Sequence, residues 1–150
     1  MNFEFEGTGK IIYDPKRTGL KTRNEWWCVI EVDENIASYY RRLANTHFNP
    51  FKVYDDPIIK QSWGAHISVI RGEKPKADKM HLWKKYHGQI VKFQYSVDVG
   101  ITNNPTAYSE DTFLYLRVKC DMLHTIRDEF GVRTSHHPHM TIGKVPYVRD

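Results

Sequence analysis

Ala65-His66-Ile67-Ser68-Val69-Ile70 and Pro138-His139-Met140-Thr141-Ile142 share one pattern: histidine, apolar residue, hydroxyl residue, apolar residue. Successive side chains on a β-strand point to opposite faces, so His66 and Ser68 fall on one face and Ile67 and Val69 on the other. The same parity groups His139 with Thr141 and sends Met140 and Ile142 into a core. Of the eight histidines, only these two have a hydroxyl residue two positions on with apolar residues between and after. The two stretches therefore read as the halves of one active site.

Around them the chain alternates strands, helices and turns. Gly9 to Tyr13 reads as a short strand, followed by the turn residues and cations of Asp14-Pro15-Lys16-Arg17-Thr18-Gly19. Trp26 to Val32 is a dense apolar run expected as a buried strand, and Asp33 offers an N-cap to a helix with Ile36, Tyr39 or Tyr40, and Leu43 at helical spacing. His47 to Ser62 reads as a loop with one short strand at Ile58 and Ile59. Beyond the first motif, a helix is expected from Asp78 to Gly88, a half-buried strand from Ile90 to Val99, and a break at Thr102-Asn103-Asn104-Pro105. Thr112 to Val118 follows as a strand, with Phe113, Tyr115 and Arg117 facing away from Leu114, Leu116 and Val118. Asp121 then caps a helix with an inward stripe of Leu123, Ile126 and Phe130, ended by Gly131.

At 150 residues the chain fits a single domain, or two small lobes sharing a core. A net charge of +4 suits an anionic partner. Cys28 and Cys120 stand far apart in or beside apolar runs and read as reduced core thiols. No apolar run approaches the roughly 18 residues of a membrane span, and Met-Asn-Phe-Glu-Phe-Glu is acidic where a secretory signal would be basic. The expectation is a protein that stays in the cytosol and engages no membrane.

Two imidazoles facing one phosphate can do opposite jobs, because an ordinary pKa of about 6.5 lets one be neutral and the other protonated. The neutral ring draws the proton from a ribose 2′-hydroxyl and the cationic ring protonates the departing 5′-oxygen. Ser68 and Thr141, beside their histidines, donate hydrogen bonds to the non-bridging oxygens. The scheme calls on no metal and no cofactor. His139 as base and His66 as acid is one assignment, and the reverse is equally open to the residues.

Arg71 and Lys144 each lie five positions after a motif histidine. Parity turns both away from the histidines unless a bulge or a strand end re-aims them. Gly143, at an even step, is expected to face the cleft. Tyr13, near the basic Lys16-Arg17 loop, and Trp63, just before the first motif, are candidates for stacking on a nucleobase, with core packing or an ordinary surface aromatic as the competing reading. Trp26 and Trp27 read as core and sheet surface. His136, His137 and His139 invite a zinc site, but adjacent histidines diverge on extended backbone and no Cys, Asp or Glu completes the set.

The paired H-x-S and H-x-T strands resemble the signature of the two-histidine phosphoesterase superfamily. The runs Gly7 to Pro15, Trp26 to Ile30 and His66 to Pro75 are similar to the phage anti-CBASS cyclic-oligonucleotide nucleases within it. That resemblance implies an α+β, two-lobed fold: antiparallel sheets in pseudo-two-fold related lobes, flanked by helices, with the motif strands lining a central cleft. It implies His66, Ser68, His139 and Thr141 as the catalytic set. It also implies a cyclic di- or trinucleotide substrate with 3′,5′ linkages and an adenosine, such as 3′,3′-cyclic GMP-AMP, cleaved in the host cytoplasm with no stable protein partner. The rival expectations are an RNA 2′,3′-cyclic phosphodiesterase and a protein that sequesters nucleotides without cutting them.

Overall fold

Residues 2–16, 25–47, 58–61, 63–102, 112–133 and 137–145 are described by a computed structural model of the chain. Their strands are β1 (Phe5–Tyr13), β2 (Trp27–Val32), β3 (His66–Arg71), β4 (Ile90–Tyr95), β5 (Gly100–Ile101), β6 (Thr112–Lys119) and β7 (His139–Val145). Two helices, α1 (Glu34–His47) and α2 (Asp121–Phe130), and a 3₁₀ turn at Ala77–Leu82 complete the elements. Every pairing is antiparallel, in the order β4-β1-β2-β3-β7-β6-β5. β4 also pairs with β6 through Gln94↔Lys119 and Tyr95↔Val118, which closes six strands into a barrel; β5 shares that edge of β6.

This corrects the two-lobed, helix-flanked α+β fold. The motif strands are neighbours in one closed sheet, not members of two sheets across a cleft. The physical reason lies in β4 and β6, whose free edges would stay unpaired in separate lobes and satisfy each other here. The helical share is also smaller than expected. The stretch 78–88 forms the 3₁₀ turn and then further turns, with Lys84 at φ 73° and Gly88 at φ 84°.

The inner face of the barrel is the core, including Ile11, Ile30, Ile67, Phe93, Leu114, Leu116 and Met140. Each fully buried Leu or Ile contributes about 2 kcal/mol through its lost apolar surface. α1 covers one end with Ala37, Tyr40 and Ala44, and the Tyr40 ring meets Tyr95 at 6.0 Å. Tyr39 and Leu43 of the expected stripe are 61% and 40% exposed. α2 covers the opposite end with Leu123, Ile126 and Phe130, the last 6.5 Å from the Tyr13 ring.

Asp33 caps α1 by accepting the Asn35 N–H at 2.9 Å. At α2 the N-cap is Cys120 and Asp121 is the first helical residue; Gly131 ends the helix in the left-handed region. β4 stops at Tyr95, short of the expected Val99, because the Asp98 N–H turns back to the Ser96 hydroxyl. Cys28 and Cys120 are buried free thiols, and burial pushes the Cys28 thiol well above its ordinary range. No helix among the described residues is long and apolar enough to cross a membrane. The Arg17-Thr18-Gly19 part of the basic loop, Asn103-Asn104-Pro105 and His136 lie outside the described residues.

Candidate active site

β3 and β7 pair antiparallel at Ile67↔Met140, and both of these side chains are fully buried. One step either way along the ladder sets His66 across from Thr141 and Ser68 across from His139, all on the outer face of the barrel. Neighbouring strands extend this into two rows. Glu31, His66, Thr141 and Tyr115 form one; Val29, Ser68, His139 and Arg117 form the other. The histidines are diagonal neighbours, a relation that puts Cα atoms about 7–8 Å apart and keeps long side chains in reach of each other. One phosphate can lie between two rings so placed, with a hydroxyl flanking each.

The rings are oriented by the same device. His66 Nδ1 lies 2.8 Å from the Gly64 carbonyl, and His139 Nδ1 lies 3.3 Å from the His137 carbonyl. A carbonyl only accepts, so Nδ1–H donates in both and Nε2 carries the lone pair of the neutral ring. The Tyr115 ring packs on His139 at 5.3 Å and 61°, while the Arg117 guanidinium stands 5.5 Å from the Tyr115 centroid. Tyr115 in turn lies over Gly100, where a Cβ would come within 2.4 Å of its ring. Only glycine at that position leaves room for the tyrosine ring against the histidine.

Each motif strand carries one extra residue just past its hydroxyl. Ser68 pairs with Val29 but Ile70 with Cys28, which leaves Val69 unmatched across β2. Thr141 pairs with Tyr115 but Gly143 with Leu114, which leaves Ile142 unmatched across β6. Val69 and Ile70 are both buried, as are Ile142 and Gly143, so the bulges reverse the parity that follows. Arg71, paired with Trp27, and Lys144, paired with Phe113, come round to the histidine face. The regular-strand expectation for both is thereby corrected.

The freed carbonyls of the two bulges are taken by helix arginines. Arg127 Nη1 donates to the Val69 carbonyl at 2.8 Å, and Arg41 Nη1 donates to the Ile142 carbonyl at 3.0 Å. Arg127, 1% exposed, also makes a bidentate pair with Glu73 at 2.8 and 2.7 Å. Arg41 reaches Gln61 at 3.3 Å, and Gln61 donates to Glu34 at 3.2 Å. Sequence reasoning missed both arginines. The available signal is their spacing, each four residues after a buried helix residue, Ala37 or Leu123, and so on the inward face.

Gly143 faces the core, where a Cβ would lie 2.7 Å from Ile58 Cγ2 and 3.0 Å from the Ile59 carbonyl. The chain's own segment, bridged at Ile59↔Lys144, fills the room expected for a ligand. Tyr13 is 2% exposed and packs edge-on to Trp83 at 4.9 Å, so neither face of its ring is open to a base. Trp63 is half-buried, edge-on to Trp27 at 5.9 Å. Beside His66, a cavity of about 250 Å³ is lined by Glu31, Val32, Glu34, Gly64 and Ala65. Its two carboxylates repel phosphate, whereas Arg71, Arg117 and Lys144 along the face attract it.

Compared with family models, curated proteins and solved structures, the chain matches none. No residue role is carried over from a relative, and the chemistry rests on the geometry above.

Proposed function

We propose that this chain is a metal-independent phosphodiesterase that hydrolyses 3′,5′-linked, adenosine-containing cyclic di- and trinucleotides, such as 3′,3′-cyclic GMP-AMP, to linear products. In the host cytoplasm this would let a phage escape CBASS immunity. The observation that carries the chemistry is the diagonal His66/His139 pair on adjacent strands, each Nδ1 held by a carbonyl and each ring beside a hydroxyl. The ring of messenger classes comes from the sequence resemblance.

In the first step Nε2 of the base histidine removes the 2′-hydroxyl proton as O2′ bonds to phosphorus. The P–O5′ bond breaks and the acid histidine gives its proton to O5′, leaving a 2′,3′-cyclic phosphate. Water then opens that ring with the two roles exchanged. Ser68 and Thr141 donate to the non-bridging oxygens, where charge gathers at five-coordinate phosphorus. Charge complementarity favours His139, beside Arg117, as the first base and His66, across from Glu31, as the first acid.

The test is a panel of cyclic dinucleotides, cyclic trinucleotides and RNA ending in a 2′,3′-cyclic phosphate, with products read by mass. Cyclic oligonucleotides are expected to open, and a 2′-deoxy analogue is expected to resist at the modified nucleotide. Efficient cleavage of that analogue would exclude 2′-hydroxyl attack. The open, outer position of the two rows also suits an RNA end, and turnover of the RNA alone would favour that reading. Binding of any member without turnover would favour sequestration.

A further inference from the structure

We propose that Arg71 and Lys144 are ligands for phosphates flanking the one that reacts, so that the substrate is a ring or chain of nucleotides presenting at least two successive phosphates. This rests on the paired-histidine site of the preceding section. The two cations occupy the same place in their motifs, five residues after the histidine. An undistorted strand would turn them into an apolar core. A one-residue bulge at the same place in each strand returns them to the catalytic face instead. Both bulges are held from beneath, by Arg127 on Val69 and by Arg41 on Ile142.

Because β3 and β7 run antiparallel, the two cations stand at opposite ends of the site. Along the face the order is Lys144, then Thr141 beside His66, then Ser68 beside His139, then Arg71. Each cation lies about 7 Å along its strand from the neighbouring hydroxyl, two regular strand steps with the bulge absorbed. That offset is comparable to one sugar-phosphate repeat, so a side chain rising straight from the face meets the flanking phosphate. The Arg71 guanidinium sits 5.7 Å from the Trp27 centroid, a cation–π contact that anchors the side chain at that end of the site. Lys144 supplies a point charge at the other end. A nucleoside 2′,3′-cyclic phosphate has a single phosphate and offers none to a flanking cation.

The experiment compares kcat/KM for a 3′,3′-linked cyclic dinucleotide with that for a nucleoside 2′,3′-cyclic phosphate in wild type, Arg71→Gln, Lys144→Met and the double variant. A parallel arm measures binding of a cyclic dinucleotide whose 2′-hydroxyls are replaced by fluorine, at several salt concentrations. The preference for the dinucleotide is expected to fall about tenfold for each cation removed. The weakening of binding with added salt should become shallower with each cation removed. A preference unchanged in the double variant, with native circular dichroism, overturns the proposal. So does an equal loss on both substrates, which would place the cations at the reacting phosphate. Fluorinated dinucleotide bound in a cation-dependent way by a wild type that cleaves nothing would retain this inference and sink the catalytic one. Neither binding nor cleavage by wild type would overturn both.

Discussion

β3 and β7 repeat one order of buried and open positions, yet unlike arginines hold their bulges. On the β3 side Arg127 is 1% exposed and shares two hydrogen bonds with the Glu73 carboxylate. On the β7 side Arg41 is half-buried and its side-chain partners are the neutral Gln61 and Ser38, with Glu34 one step behind Gln61. The histidines differ in the same sense: His66 is half-buried across from Glu31, and His139 is exposed against Tyr115 and across from Arg117. Like backbone geometry set in unlike charge is what a reaction with one base and one acid needs.

The largest effects should come from the histidines. His66→Ala and His139→Ala are each expected to lower turnover by about 10³-fold, within the range for a positioned acid or base. Thermal stability should stay near wild type, since both rings lie on the outer face. An activated leaving group needs no acid, so a p-nitrophenyl phosphodiester should restore His66→Ala and not His139→Ala. The opposite rescue would exchange their roles, and near wild-type turnover in either variant would remove that strand from the chemistry.

Stability should separate the bulges next. Arg127→Met removes two charged hydrogen bonds from the Glu73 carboxylate and the donor from the buried Val69 carbonyl, and is expected to cost about 3 kcal/mol in urea denaturation. Arg41→Met takes hydrogen bonds from the buried Ile142 carbonyl and the buried, neutral Gln61 but from no carboxylate, and should cost about 1–2 kcal/mol. Equal losses would erase the distinction drawn between the two sides.

The smallest expected effect is a pH dependence at the α2 end. The Tyr86 hydroxyl, at 2.7 Å, and the Lys85 ammonium, at 3.2 Å, hold the Glu129 carboxyl below the usual range. A carboxyl lowered on folding stabilises the fold above its unfolded pKa, and that contribution fades as pH falls toward the folded value. Glu129→Gln should therefore flatten the acid limb of the stability curve. An unchanged limb, measured by denaturant midpoint against pH, would show that this contact contributes nothing.

Legibility varied with how local the cause is. The split of His66 and Ser68 from Ile67 needs only the two-residue period of a strand, and the outward Tyr115 and Arg117 follow from the same period in β6. The aim of Arg71 and Lys144 was not legible, because a bulge is a property of register against β2 and β6. The cations after Tyr13 make it a candidate for base stacking, with core packing as a competing reading; Gly9, Ile11 and Tyr13 alternate onto one face, and the ring packs in the core. The 78–88 segment carried helical spacing, yet Trp83 and Tyr86 are drawn to Phe130 and Glu129 through turns instead.

By itself the sequence determined which side chains share a face of each motif strand, since side-chain parity along extended backbone owes nothing to neighbours. Only the tertiary structure decided that the two motifs adjoin in one closed barrel and that a cation stands at each end of their common face. Both outcomes depend on pairings between residues remote in the chain, Gln94 with Lys119 and Ile67 with Met140 among them, and on two helix arginines that take up the carbonyls those pairings leave over.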